Sequence, residues 1–232
     1  GDSSGKVILA GIEYVGATTI ANKLSVWKTE IMGEPFAGGL IHDHSKLPHT
    51  SGHPDDTTLE EQQQILALSP KLKEMYHRYS MYYHLHHYNS ADDLTVGFHI
   101  EESIYARKYY GYGLPGDQFD RQAVFEQVER RAKQITSDPI IIVHMTAAES
   151  VIARRMAELK GTPHHSNSPL KEDDIAEIMS EYERLVAKSE LGPKIHVDTS
   201  IDTPDETLKK MTTLMEPHFT VHDRERIKAH SG

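Results

Sequence analysis

The chain contains no cysteine, which excludes disulfide bonds, thiolate zinc sites and a cysteine nucleophile and fits a cytoplasmic protein. No apolar run approaches the roughly 18 residues of a transmembrane helix, so we expect no membrane partner. Cations are scarce: 25 Lys and Arg face 35 Asp and Glu, a net charge of −10. That balance argues against a general nucleic-acid binder, which needs surplus cations to neutralise phosphates. A small phosphorylated ligand in a local cationic pocket is not excluded.

Predicted strands and helices alternate along the chain. The predicted strands cover residues 6–10, part of 25–32, 94–100, 139–144 and 194–198. The predicted helices cover residues 17 to 24 or 27, 59–68, 71–87, 121–135, 147–159, 171–188 and 204–215, and residues 104–110 are predicted as a helix or a turn. Such alternation favours a parallel sheet with helices on both faces. We expect one domain over 6–216, between a mobile leader at 1–5 and a polar tail at 217–232.

The segment Val7–Thr19 reads as a buried strand, a glycine-punctuated loop and the start of a helix. Its spacing is that of a phosphate-binding loop, G-x-x-x-x-G-K-[ST], except that Ala17 stands at the lysine position. Glycines at 11 and 16 allow a tight turn that aims N–H groups at an anion, and the helix adds its positive end. The predicted phosphate contacts are Gly11, Val15, Gly16, Ala17, Thr18 and Thr19, with the Thr18 hydroxyl as a Mg²⁺ ligand. The alternative is a strand-to-helix turn that never meets phosphate.

Acidic residues follow two of the predicted strands. Glu34 comes after the strand placed within 25–32, and Glu101 and Glu102 come at the end of the strand 94–100. Ligands of parallel sheets bind beyond the carboxyl ends of the strands, so we expect these acids near the loop. Glu34 and Glu101 are the acid–base candidates. The alternatives are a solvated loop acid at 34 and acids at a helix start, favoured by the helix dipole, at 101 and 102.

The segment 36–56 is rich in Gly, His, Pro and Asp and is too long for a simple connector. His42 and His44, with Asp43 or Asp55, could ligate zinc or another divalent metal. The imidazoles could instead face a phosphate of the substrate, or the segment could be an ordinary loop. The sequence leaves these three readings open.

Tyr76, Tyr79, Tyr83 and His87 recur at helical spacing and fall on one face of a predicted helix. One interpretation is an apolar stripe that packs on the core. The other is a wall of a substrate pocket that stacks on a planar ring, because tyrosine and histidine bring polar tips that need partners.

The polar loop 160–170 separates two predicted helices and contains Gly161, which suits a hinge. His164 and His165 are its candidate phosphate contacts, and such contacts depend on pH near neutrality. The alternative is an ordinary exposed loop.

Five segments together resemble the P-loop kinases of nucleosides and nucleoside monophosphates, above all thymidylate and deoxynucleoside kinases. The segments are GIEYVGATT at 11–19, Glu34-Pro35, EESIYA at 101–106, the strand and helix over 140–155, and KIHVDTS at 194–200. The resemblance implies a three-layer P-loop NTPase fold with a parallel sheet of about five strands, and ATP and Mg²⁺ as cofactors. It implies that Glu34 activates a substrate hydroxyl, that Glu101 holds Mg²⁺ or substrate, and that Arg154 contacts the nucleotide. The predicted substrate contacts are His42, His44, Tyr79, Tyr83, Glu102, Tyr105, Arg107, His164 and His165.

The chain departs from these kinases at two cations. Ala17 replaces the loop lysine, and Glu102 stands where the family has an arginine. Nearby cations that could compensate are Arg107, Lys108, Arg154, Arg155, Lys160 and Lys171. The first hypothesis is therefore a phosphotransferase acting on a nucleoside, nucleotide or similar small metabolite. The others are a non-catalytic relative that binds nucleotide or metabolite, and a metal-dependent hydrolase built on the His-rich loop; a homodimer is a further expectation.

Overall fold

The computed structural model describes residues 5–36, 41–42, 46–48, 52–53, 57–89 and 92–232. In these residues one six-stranded sheet has the order β3-β2-β4-β1-β5-β6. The strands are β1 Lys6–Ala10, β2 Ile41–His42, β3 Gly52–His53, β4 Asp93–Val96, β5 Ile140–Thr146 and β6 Lys194–Asp198. All neighbours pair in parallel except β3, which is antiparallel to β2. The predicted parallel sheet flanked by helices is confirmed.

Nine α-helices surround this sheet in the described part of the chain. They are α1 Ala17–Met32, α2 Leu59–Leu66, α3 Pro70–His84, α4 Phe98–Tyr105, α5 Arg121–Ile135, α6 Glu149–Leu159, α7 Ile175–Lys188, α8 Pro204–Met215 and α9 Val221–His230. Helix α1 packs against α8 and α9, and helix α4 packs against α5 and α7. None of the described helices is long and apolar enough to cross a membrane.

The neighbouring interior strands β1 and β5 carry much of the core because both of their faces are covered. Ile8 and Leu9 of β1 and Ile142 and Val143 of β5 are completely buried. Strands covered on both faces read as continuous apolar runs rather than as alternating patterns. This is why β1 and β5 are the clearest strand signals in the sequence.

The strand predicted within residues 25–32 is wrong. This segment is the second half of α1, which ends at Gly33 in the left-handed conformation, with φ 78°. The β-branched and aromatic Val26 and Trp27 favoured a strand. However, the buried Leu24, Lys28 and Met32 repeat every four residues, as a helix requires, and Val26 is exposed.

The strand predicted over residues 94–100 ends early, at Val96. Gly97 has φ 75° and donates its N–H to the carbonyl of Leu9, and α4 begins at Phe98. Every residue of α4 is buried. A short apolar run that leads into a fully buried helix cannot be told from a strand by periodicity alone. Glu101 and Glu102 consequently lie inside a helix rather than beyond a strand end.

The segment 217–232, predicted as a polar tail, contains the helix α9. A capping box starts the helix, since Thr220 and Asp223 each accept a hydrogen bond from the other's backbone N–H. Arg226 then donates to both carboxylate oxygens of Asp92, at 2.6 and 3.0 Å. A helix held by polar contacts shows no apolar periodicity in its sequence. The polar composition of this segment therefore led to the prediction of a tail.

Candidate phosphate site

The loop between β1 and α1 has the backbone that an anion site requires. A Cβ on Gly11 would stand 2.5 Å from the carbonyl oxygen of Met145, so only glycine fits there. Gly16 has φ 96° and precedes α1 without a side-chain cap. The first N–H groups of a helix have no partner inside the helix, and this end of the dipole is positive. The start of α1 therefore offers free donors to an anion.

Two side chains from outside hold the loop in shape. Arg155 of α6 donates to the carbonyls of Tyr14, at 3.1 Å, and of Thr199, at 2.6 Å. The Thr199 hydroxyl donates to the carbonyl of Val15 at 2.9 Å. Tyr14 has a positive φ of 71°, a conformation that these contacts stabilise. We call Arg155 and Thr199 the loop clamp.

A cavity of about 270 Å³ lies beside the clamp. Its lining includes Tyr14, Gly16, Thr19, Arg155, Leu159 and Pro204. It is bounded by the loop, by α6 and by the start of α8. We call it the donor cavity.

Glu13, inside the loop, is 6% exposed and is held by charged and hydrogen-bonding partners. The Tyr105 hydroxyl donates to it at 2.5 Å, and His165 Nδ1 lies 3.5 Å from its carboxylate. Burial raises the pKa of Glu13, but Lys46, together with hydrogen bonds from His165, Ser168 and Tyr105, outweighs burial and lowers that pKa to about 2. Glu13 is consequently ionised at neutral pH.

Glu101 forms a second buried carboxylate near the loop. The Tyr182 hydroxyl of α7 donates to Glu101 at 2.5 Å, and Lys46 Nζ lies 3.8 Å from the same oxygen. Lys46 also sits 5.9 Å from the ring centre of Tyr105. We call Glu13, Glu101 and Lys46 the charged centre.

The loop 160–170 lies against the loop between β1 and α1. The His165 ring stacks on Tyr14 with centroids 4.2 Å apart, and His164 Nε2 lies 3.3 Å from the Thr18 hydroxyl. A second cavity, of about 280 Å³, lies between this loop and the charged centre. Its polar lining includes Glu13, Lys46, Gln62, His164, Asn167 and Ser168. We call it the acceptor cavity.

Comparison with known proteins identifies the fold of the chain. No family model matches the chain, and no curated protein matches it in sequence. The solved structure of the YorR protein from Bacillus subtilis, in complex with phosphorylated GDP, has a TM-score of 0.53 at 17% identity, over 93% of this chain and 99% of that one. Thymidylate kinase from Candida albicans has a TM-score of 0.56 at 12% identity, over 94% of this chain and 93% of that one. The chain has the fold of the P-loop kinases.

Within this P-loop kinase fold the structure brings together several residues that were predicted apart. Thr18, Glu101, Tyr105, His164 and His165 all lie at or beside the loop. Glu13, Lys46 and Tyr182 also belong to the site, although no motif in the sequence indicates them. Glu13 occupies a position that the loop motif leaves free, and Lys46 and Tyr182 come from distant segments, so no local pattern could mark them.

Glu34 is not part of this site. It follows α1, whose 16 residues span about 24 Å from the loop. Its carboxylate is half-exposed and pairs with Arg226 at 2.5 Å. The assignment of Glu34 as a base depended on the strand within 25–32, which is part of α1.

Tyr79 and Tyr83 do not form a buried wall. They are 71% and 56% exposed and stack on each other. The buried residues of α3 lie on a different face: Glu74, His77, Ser80, Met81 and His84. This buried face is polar because it serves an ion-pair network.

The centre of that network is Arg121, which is completely buried. Its Nε donates to both oxygens of Glu102, at 2.8 and 3.1 Å, and its Nη1 donates to Glu74 at 2.8 Å. The Tyr112 hydroxyl also donates to Glu102. Glu102, predicted as a substrate contact, is therefore engaged in an internal ion pair.

The two arginines predicted as ligand contacts also lie elsewhere. Arg107 donates to the carbonyl of Gly113 and lies 3.6 Å from Asp120, so it braces the loop after α4. Arg154 is exposed on α6, and its neighbour Arg155 makes the loop contacts.

The metal prediction for the His-rich loop concerns residues of which the structure describes little. Asp43, His44 and Asp55 lie outside the described residues, and only the backbone of His42 is described. Among the residues the structure does describe, no group of three or more His, Asp or Glu could hold a metal ion.

Proposed function

We propose that the chain is a phosphotransferase that moves a phosphoryl group from a nucleoside triphosphate to a nucleoside, nucleotide or similar small metabolite. The observation that carries this proposal is the position of the loop. An uncapped helix start and two glycines lie between two cavities, the donor cavity and the acceptor cavity. A transfer reaction needs such a pair of sites, one on each side of the phosphate being moved.

The donor cavity suits a nucleoside. Tyr14 and Pro204 offer flat apolar surface, and Arg155 with the loop backbone supplies polar groups. The triphosphate would extend along the loop towards the free N–H groups of α1. These contacts to the nucleoside and its phosphates come from backbone N–H groups and from the side chains that line the cavity. None of them needs a lysine at position 17.

The acceptor cavity suits a polar molecule with a hydroxyl group. Glu13 would accept a hydrogen bond from that hydroxyl and orient it. The acceptor oxygen then bonds to the γ-phosphorus, and the bond from that phosphorus to the bridging oxygen breaks. The nucleoside diphosphate leaves with the electron pair, and the hydroxyl proton passes to Glu13 and on to water. Because a carboxylate of low pKa is a weak base, its main contribution is orientation.

Charge neutralisation must come from groups other than residue 17. Lys46 lines the acceptor cavity, and His164 and His165 lie against Thr18 and Tyr14. We propose that these three side chains take over the role of the missing cation. Bound Mg²⁺ would neutralise further charge, held by the Thr18 hydroxyl, Glu101 and the phosphates, which is a ligand set Mg²⁺ accepts.

Nucleotide binding is the first test. Isothermal titration should show MgATP binding at or below millimolar concentration, and Ala17→Lys should raise the affinity about tenfold through one charge-assisted contact. Ala187→Lys, which adds the same charge on the exposed side of α7, should leave the affinity unchanged. No binding at millimolar nucleotide contradicts the proposal, and equal effects of the two lysines place the phosphates away from the loop.

A matched pair of substitutions tests the two predicted acids. With labelled ATP and a panel of nucleosides and nucleoside monophosphates, Glu101→Gln should lower turnover about a hundredfold. Glu34→Gln should stay within about twofold of the parent, because Glu34 lies at the far end of α1. Melting temperatures identify any loss due to unfolding. Equal losses from both substitutions would contradict the assignment of Glu101.

A second candidate is a relative that binds nucleotide without transferring phosphate. Ala17 and the two carboxylates of the charged centre favour it, since anions near the loop oppose phosphate. Binding of ATP without transfer to any panel member would select this candidate.

A further inference from the structure

A larger cavity, of about 520 Å³, is lined by Ile12 of the loop, by the end of β5 and by His196 of β6. Its wall on one side is α7. The polar residues that line it are His144, Thr146, Glu149, Ser180, Tyr182, Glu183 and His196. Ligands of parallel sheets bind at this carboxyl edge of the strands.

His144 is a buried polar group in the wall of this cavity. It is 5% exposed and pairs in register with His196 on the neighbouring strand, with ring centroids 5.4 Å apart. Within the part of the chain that the structure describes, the His144 imidazole makes no hydrogen bond. Burial, followed by His196, lowers the pKa of His144 to about 4. At neutral pH the imidazole is therefore neutral and offers one ring nitrogen as a hydrogen-bond acceptor.

The charges around His144 select the class of ligand. Glu149 and Glu183 contribute two carboxylates, and the described lining contains no lysine or arginine. An anion would be repelled here. The floor is apolar, with Ile12, Met145 and Met179, so a ligand with a short hydrocarbon body can bury it.

We propose that this cavity binds a small organic cation, namely a primary ammonium group on a short apolar body. The ammonium group donates to the carboxylate of Glu183 and to the free nitrogen of His144, and the Glu149 carboxylate adds a second negative charge to the same cavity. A metal ion fits less well, because no group of three His, Asp or Glu among the described residues is arranged to hold one.

The bound cation would contact the phosphate site through two residues. Ile12 belongs to the loop, next to Glu13, and Tyr182 donates its hydroxyl to Glu101. Occupancy of the cavity would therefore couple to the loop. The binding proposal itself does not require the chain to be a kinase.

Histidine imidazole NMR on the full chain tests the proposal, with butylamine as the probe at pH 7.5. The His144 signal, assigned by its absence in His144→Gln, should shift saturably with butylamine. It should not respond to 1-butanol or butyrate, which share the apolar body without the ammonium group. Glu183→Gln should weaken binding about tenfold, whereas Glu158→Gln, on an exposed side of α6, should not.

Several results would overturn the inference. These are no saturable shift of His144 with butylamine, an equal response to all three probes, or equal affinity in Glu183→Gln and the parent. A shift with ZnCl₂ but none with butylamine would also overturn it, in favour of a metal site.

Discussion

Replacing Arg121 with methionine should lower the free energy of unfolding by about 3–5 kcal/mol. Methionine keeps most of the volume but leaves Glu102 and Glu74 without their shared cation, and both carboxylates are buried. Arg78 still donates to Glu74, but Glu102 loses its guanidinium partner, so the desolvation of Glu102 and the repulsion between the two carboxylates are no longer offset. Urea unfolding followed by circular dichroism measures the loss.

Two further variants identify the cause. Arg130→Met, on an exposed position of the same helix, should change stability by less than about 0.5 kcal/mol. Adding Glu102→Gln to Arg121→Met should recover part of the lost stability, because it neutralises the buried carboxylate that has lost its cation. A loss below about 1 kcal/mol for Arg121→Met, or no recovery in the double variant, would show that the network is not what stabilises this part of the core.

Replacing Glu13 with glutamine should destabilise the protein by about 3 kcal/mol at neutral pH. The pKa of Glu13 falls from 4.5 to about 2 on folding, and each pKa unit corresponds to about 1.4 kcal/mol. A depressed carboxylate pKa stabilises the fold above the unfolded pKa and loses that contribution as the pH falls through the folded one. The loss of unfolding free energy in Glu13→Gln should therefore reach its full size above pH 4.5 and vanish near pH 2. Unfolding measured at intervals from pH 7 to pH 2 follows this change.

Glu60→Gln provides the control, since Glu60 is an exposed carboxylate at the start of α2. It should cost little at any pH. If the deficit of Glu13→Gln stayed constant down to pH 2, the loss would come from packing or neutral hydrogen bonds rather than from the charge.

The segments that were predicted best have start and stop signals within their own sequence or next to it. The bounds of α5, β6 and α8 agree with the prediction. Asp120 caps α5 and Thr203 caps α8, with Pro204 in its first turn. Caps and prolines act on the neighbouring residues alone, so they can be read from a single chain.

The parts that failed depend on partners that are distant in sequence. Arg121 pairs with Glu102 across 19 residues and with Glu74 across 47. Glu13 meets Tyr105 across 92. Tertiary contacts of this kind decide whether a polar residue is a ligand contact or a structural ion pair, and no periodicity encodes them. The same limit explains why Val26 and Trp27 suggested a strand inside α1.

The loop clamp affects which substitutions the loop can accept during evolution. The backbone at residues 11–16 is fixed by two glycines, Arg155 and Thr199, and residue 17 contributes nothing to those contacts. A substitution at residue 17 can therefore alter phosphate chemistry while leaving the cradle intact. Such a change would leave the free energy of unfolding nearly unchanged, so selection for stability would not act against it. Lineages of this fold could lose or regain the lysine with the architecture of the site preserved throughout.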